Sequence, residues 1–173
     1  MTTTTVTTAE VLTDAFGRVR DAVHAAVADL STDDLARPPA PGANTVAWLV
    51  WHLTRVQDDH VADAFGGTQV WSDEGWAERL DLPLPRDATG YGARPEDVLA
   101  VRAPADLLLG YHDAVHARTV ALVAGVGADD LARVVDASWD PPVTLAVRLV
   151  SVIEDDLQHA GQAAYVRGLL LRT

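Results

Sequence analysis

The 173-residue chain contains no cysteine and no lysine; all 13 of its basic residues are arginine. Without thiols it cannot build a disulfide, a thiolate metal site or a catalytic cysteine. Any sulfur chemistry must use a thiol from outside. No apolar run reaches the roughly 18 residues that a membrane span needs. The start, "MTTTTVTTAE", lacks the basic residues and apolar stretch of a secretory leader. Residues 1–7 read as a frayed lead-in, and the expected location is cytoplasmic. Positive charge is scarce too. Against 25 acidic residues the formal net charge is −12 and the pI about 4.6, a field that repels phosphate backbones and anionic bilayers. Neither nucleic acid nor a membrane is expected as a partner.

Apolar residues make up 49% of the chain, enough for one domain over residues 1–173 with a substantial core. Four stretches carry a helical period. The first, from Thr8, places Val11, Phe16, Val19, Val23, Val27 and Leu30 at three- and four-residue steps. "STDDLARPPAPGAN" stops it, because proline cannot continue a helix. Asn44 then reads as the N-cap of "TVAWLVWHLTRVQDDHVADAF", which ends at Gly66-Gly67. Residues 68–103 are rich in Gly, Pro and charge, with a short helical turn around "DEGWAERL". A third helix starts near Pro104, and a fourth runs from Val143 to about Leu171. No segment alternates well enough to be a strand. The expectation is an all-α four-helix bundle. A helix of about 20 residues is roughly 30 Å long, and the connection between helices 2 and 3 is long enough to travel that distance. It predicts a long crossover that leaves those two helices parallel.

The last helix carries the densest chemistry, "EDDLQHAGQAAYVRG" from Glu154. Residues four apart on a helix lie about 40° apart, one turn above each other. Asp155 and His159 can therefore grip one ion from the same side, and Asp156 with His159, three apart, can as well. A stable site needs a further ligand from elsewhere, and His52 in "WLVWHLTRV" is the best donor. His60 lies roughly 12 Å along that helix from His52 and reads as a core or supporting residue. His112 and His116, four apart in "YHDAVHAR", form a rival pair. His24 reads as a core-edge histidine bonded to a neighbour. By angle alone Asp156 faces the apolar arc of Leu149, Ile153 and Ala160, while Asp155 lies farther round.

"NTVAWLVWHLTR", followed by "DDLQHAGQAAYVRGLL", resembles the DinB-like family of metal-binding four-helix bundles. The likeness covers nearly the whole chain. It is strongest to the actinobacterial branch that includes mycothiol-dependent maleylpyruvate isomerase and related thiol S-transferases. The resemblance implies a divalent metal, zinc or nickel, held by His52, Asp155 and His159. Gly161 and Gln162 also match. Aspartate at 155, where relatives carry Glu or His, is one methylene shorter than Glu, and the resemblance favours Asp155 over the Asp156 that the helix angle favours.

The implied function is a metal-dependent thiol S-transferase or isomerase, using a small-molecule substrate and an external thiol such as mycothiol. Arg55 and Arg167 are candidate contacts for an anionic substrate. Trp48, Trp51, Trp71 and Trp76 are candidate pocket walls or core residues, and Asp59 is a candidate support for His52. The alternative is a non-catalytic bundle that binds metal or a small ligand, or a structural dimer. A homodimer fits either reading.

Overall fold

The computed structural model describes residues 6–172. Four long helices form the body: α1 (Thr8–Val27), α3 (Val46–Phe65), α7 (Ala105–Val123) and α8 (Leu145–Leu170). A single turn, α2 (Thr32–Leu35), interrupts the proline-rich link. Three short helices punctuate the crossover: α4 (Val70–Asp73), α5 (Trp76–Leu80) and α6 (Pro95–Ala100). Of the expected lead-in, residues 1–5 lie outside the described residues. Thr7 is the cap of α1, accepting Glu10 N–H at 3.2 Å while Glu10 takes the Thr7 N–H at 2.8 Å.

Three boundaries differ from the sequence expectation. α1 ends at Val27, short of the expected Leu30. Thr45, not Asn44, caps α3, its hydroxyl accepting Trp48 N–H at 3.1 Å. The last helix begins at Leu145, because Thr144 caps it and Val143–Thr144 pairs as strand β2 with β1 (Val134–Asp136). Elements of three and two residues are too short to show alternation, so the sequence did not reveal them.

The crossover does leave α3 and α7 parallel. Thr54 meets His112 and, farther along both helices, Gln57 meets Thr119. α8 runs against α3, since His159 lies beside His52 and Arg148 beside His60. α1 packs on α7 and α8, across the diagonal from α3. No described helix is long and apolar enough to cross a membrane.

The core falls into two apolar clusters. One gathers Trp48, Trp51, Tyr111 and Ala160 at the crossover end, and the other gathers Phe16, Val61, Val123 and Leu149. Between them along the helices lie Thr54, Gln57, His112, Thr119 and Asp156, all at most 1% exposed. The two threonines act alike. Each donates its hydroxyl proton to a carbonyl one turn back, Val50 at 2.7 Å and Val115 at 2.9 Å. Each then accepts from a neighbouring helix, from His112 Nδ1 at 3.1 Å and from Gln57 Nε2 at 2.8 Å. These directional bonds hold α3 against α7 in one register.

Asp58 anchors the crossover. Its carboxylate accepts Val70 N–H and Trp71 N–H, both at 2.8 Å, and so supplies the N-terminal partners that α4 lacks locally. It also accepts the Tyr111 hydroxyl at 2.8 Å and lies 3.8 Å from the Arg55 guanidinium. Burial raises its pKa, and these partners work against the rise. Asp58→Ala removes all of them at once and leaves Arg55 uncompensated. The expected loss is about 3 kcal/mol in urea denaturation. A loss below about 1 kcal/mol would remove Asp58 from this role.

Candidate functional site

α3 is buried on most of its circumference, and His52 sits at its crossover-facing edge, 7% exposed. Its Nδ1–H donates to the Thr89 carbonyl at 2.6 Å. That bond fixes the tautomer and leaves Nε2 with its lone pair. Trp48, one turn earlier, stacks on the ring at 4.6 Å and 17°. Gly90 closes in beside Nδ1. Its φ is +94°, and a Cβ there would stand 2.6 Å from His52 Nδ1 and 3.1 Å from the Trp51 ring. Only glycine lets the crossover backbone pass this close to the imidazole.

α8 supplies the facing groups. The His159 ring lies edge-on to His52 with centroids 4.8 Å apart. His159 Nδ1–H donates to Gln162 Oε1 at 2.9 Å, so in the neutral ring Nε2 carries the lone pair; it lies 3.6 Å from Asp155 Oδ1. His52, Asp155 and His159 each offer one ligating atom, all within 4.8 Å of one another. No other trio of potential metal-binding side chains gathers this way among the described residues. The donor set suits a divalent ion: two imidazole nitrogens whose partner nitrogens are engaged, and a carboxylate whose Oδ2 is buried without a hydrogen-bond partner. Electrostatics separate the two rings. Burial lowers the pKa of His52, whereas the Asp155 carboxylate beside His159 raises that of His159.

The other candidates take different places. Asp156 does face inward, as its helix angle implied, and is 0% exposed with neither oxygen hydrogen-bonded. Burial, reinforced by Asp155, raises its pKa well above the usual carboxylate range. Facing the core turns it away from the cluster at the rim. His60 Nδ1 lies 2.7 Å from Arg148 Nη1, and His24 Nε2 lies 2.8 Å from Asp113 Oδ1. Arg55 serves the interior, donating to Ala88 O at 3.1 Å and Gln69 Oε1 at 2.8 Å and lying over the Trp71 ring. Arg167 donates to Ala28 O at the end of α1, and Asp59 accepts from Gln69 rather than from His52. Trp71 and Trp76 pack on Tyr111, with ring centroids 5.2 and 5.8 Å away. Trp48 and Trp51 remain beside the cluster. Thr89 and Gly90, the supports of His52, were missed by the sequence reading; the only local signal is the "TGYG" turn.

Among the described residues His112 and His116 gather no third ligand. His112 is fully buried, bonded to Thr54, and burial pushes its pKa from 6.5 down to about 3. Its proton is therefore bound in the unfolded chain but not in the folded one between those values. Stability from this residue is complete above pH 6.5 and is lost as pH falls toward 3. His112→Gln keeps a partner for Thr54 without titrating. From pH 6.5 to 4.5, wild type should lose about 2 kcal/mol relative to this variant in urea denaturation. Parallel pH profiles would contradict a buried neutral His112.

The clamp on His52 is testable against a neighbour. Gly92 also has a left-handed φ of +68°, but a Cβ there meets nothing within 4 Å. Gly92→Ala should cost about 1 kcal/mol, the price of the backbone conformation alone. Gly90→Ala should cost about 2–3 kcal/mol, because it adds the collision with the His52 ring. Equal losses at the two positions, read from urea denaturation, would dismiss the clamp.

The architecture and the cluster define a class: an all-α bundle with a two-histidine, one-carboxylate group where α3, α8 and the crossover meet. A family model described as Mycothiol-S-transferase matches residues 11–171, and the chain belongs to that family, within the DinB-like group. The chain is also similar to a solved structure, the crystal structure of the conserved protein of locus from Enterococcus faecalis. The TM-score is 0.90 at 29% identity, covering 98% of this chain and 100% of that one. No curated protein matches it.

Proposed function

We propose that this protein is a metal-dependent thiol S-transferase or isomerase that holds a divalent ion, zinc or nickel, on His52, Asp155 and His159. The observation that carries the reading is the convergence of those three side chains, from two helices, within 4.8 Å. The family match supports mycothiol as the thiol. A divalent ion at such a centre lowers the pKa of a bound thiol or water and so supplies a nucleophile near neutral pH.

The chain's own residues set the conditions for that chemistry. The bonds from Nδ1 to Thr89 and to Gln162 hold both imidazoles and would leave their Nε2 atoms to take the ion. Trp48 covers one face of His52 and excludes water there. Asp155 and His159 are partly exposed, their side chains 35% and 18% accessible, which leaves an approach for a thiol. The thiol must be external, because the protein has no cysteine. The exposed Val11, Val150 and Leu157 on α1 and α8 are the surface that a homodimer would bury.

Calorimetric titration of chelator-treated protein with Zn²⁺ and Ni²⁺ tests the centre. One ion per chain is expected. Affinity should fall more than about 100-fold in His52→Ala and Asp155→Ala, and about 10-fold in Gln162→Ala, which removes only the support of His159. Adding mycothiol to the Co²⁺-loaded protein should produce a sulfur-to-metal charge-transfer band, which a cysteine-free chain cannot generate by itself. Metal binding without that band points to a non-thiol ligand. Absence of metal binding, with His52→Ala as stable as wild type, favours the structural bundle.

A further inference from the structure

Exposed apolar side chains gather on one face of the bundle. Val11, Val147, Val150, Leu157 and Tyr165 are each between 45% and 70% exposed, and all five lie on α1 or α8. A groove of about 380 Å³ runs between the two helices at this face, its lining including Val11, Leu12, Ala146, Leu149 and Val150. On α8, at about 100° per residue, Asp155 and His159 lie at least about 140° round from Val150. The face therefore looks away from the candidate centre.

Charge is nearly absent from it. Between residues 146 and 168, Glu154 is the one charged residue within about 60° of Val150. On α1 the bordering Asp14 and Arg18 neutralise each other at 2.7 Å. With a net charge of −12 on the whole chain, an uncharged face is where two copies can meet with least repulsion.

The stripe along α8 has two unlike halves. The first is bulky, with Val147, Val150, Ile153 and Leu157; the second is flat, with Gly161, Ala164 and Gly168. A Cβ at Gly161 or Gly168 would meet nothing within 4 Å, so no contact inside the chain requires glycine at either place. Glycine within a helix costs stability relative to alanine, and on an outward face it suits close approach by another backbone. A reversed copy of the same stripe offers bulk where this one is flat and flatness where this one is bulky. The size also fits. From Ala146 to Gly168 the helix is roughly 33 Å long and two adjacent helices are about 20 Å across, a footprint of about 650 Å² per copy beside roughly 800 Å² per partner in a stable interface.

We infer that this face is the contact between two copies of the chain, with the two α8 helices antiparallel about a twofold axis at the level where Leu157 gives way to Gly161. A twofold contact sets residue i against j and j against i. Leu157 meets Gly161 of the second copy, Val150 meets Gly168, and Tyr165 comes level with Glu154. Both candidate centres face outward and stay open. This arrangement rests on the homodimer reading and not on the metal.

The chain has no cysteine, so an introduced thiol is unique. Gln158 is exposed on α8 between Leu157 and Gly161, and Ser72 is exposed on α4. In metal-free protein, Gln158→Cys should form a covalent dimer with a short bismaleimide, and Ser72→Cys should not. Sedimentation equilibrium should show a wild-type dimer. Gly161→Leu and Leu157→Glu should each raise its dissociation constant at least tenfold with the far-ultraviolet circular dichroism unchanged. A chain that stays monomeric overturns this contact and the homodimer together. A dimer that survives both substitutions, or that cross-links through Ser72→Cys and not through Gln158→Cys, overturns this contact and spares the homodimer.

Discussion

The crossover is stitched to α3 through polar side chains that the helix would otherwise bury at a cost, and the site depends on that attachment. His52 donates to Thr89, Arg55 to Ala88 and Gln69, and Asp58 accepts from Val70 and Trp71. Each residue lies about one turn from the next, so one face of one helix organises the long connection. In return the connection positions His52. The imidazole is gripped by Trp48, Thr89 and Gly90, two of which come from the crossover. A helix alone sets the direction of a side chain to within a rotamer; the strap reduces that choice to one ring orientation.

The four long helices were legible because each buries a continuous stripe, and local periodicity records that directly. The parallel pair α3 and α7 was legible from chain length alone. Spacing offered His159 with Asp155 or Asp156 and His52 as the further donor, but also His112 with His116 as an equal pair; the resemblance chose among them. What separates the two pairs is depth. His112 lies in the packed interior with Thr54 as its partner, whereas His159 stands at an exposed edge where a third ligand can reach it. Burial depth is a tertiary property that an i, i+4 spacing does not encode. Thr89 and Gly90 were hidden for the same reason, acting across 37 residues of sequence on a helix they do not resemble in pattern.

Asp155 and Asp156 show how far one residue of helical rotation can carry chemistry. The two carboxylates are adjacent in sequence, yet one reaches the rim beside His159 and the other is fully buried between the two apolar clusters. In the low-dielectric interior the second acid is driven toward its neutral form, by desolvation first and by its charged neighbour second. A neutral, inward acid does not compete for a cation. The angular argument that favoured Asp156 holds for direction: pointing into the bundle core takes that carboxylate away from the cluster of His52, Asp155 and His159 at the rim. Asp155 joins His52 and His159 because it lies off the stripe, where the surface of α8 meets α3 and the crossover. A carboxylate placed there keeps one side open to solvent, and the proposed centre would use that side to admit a thiol.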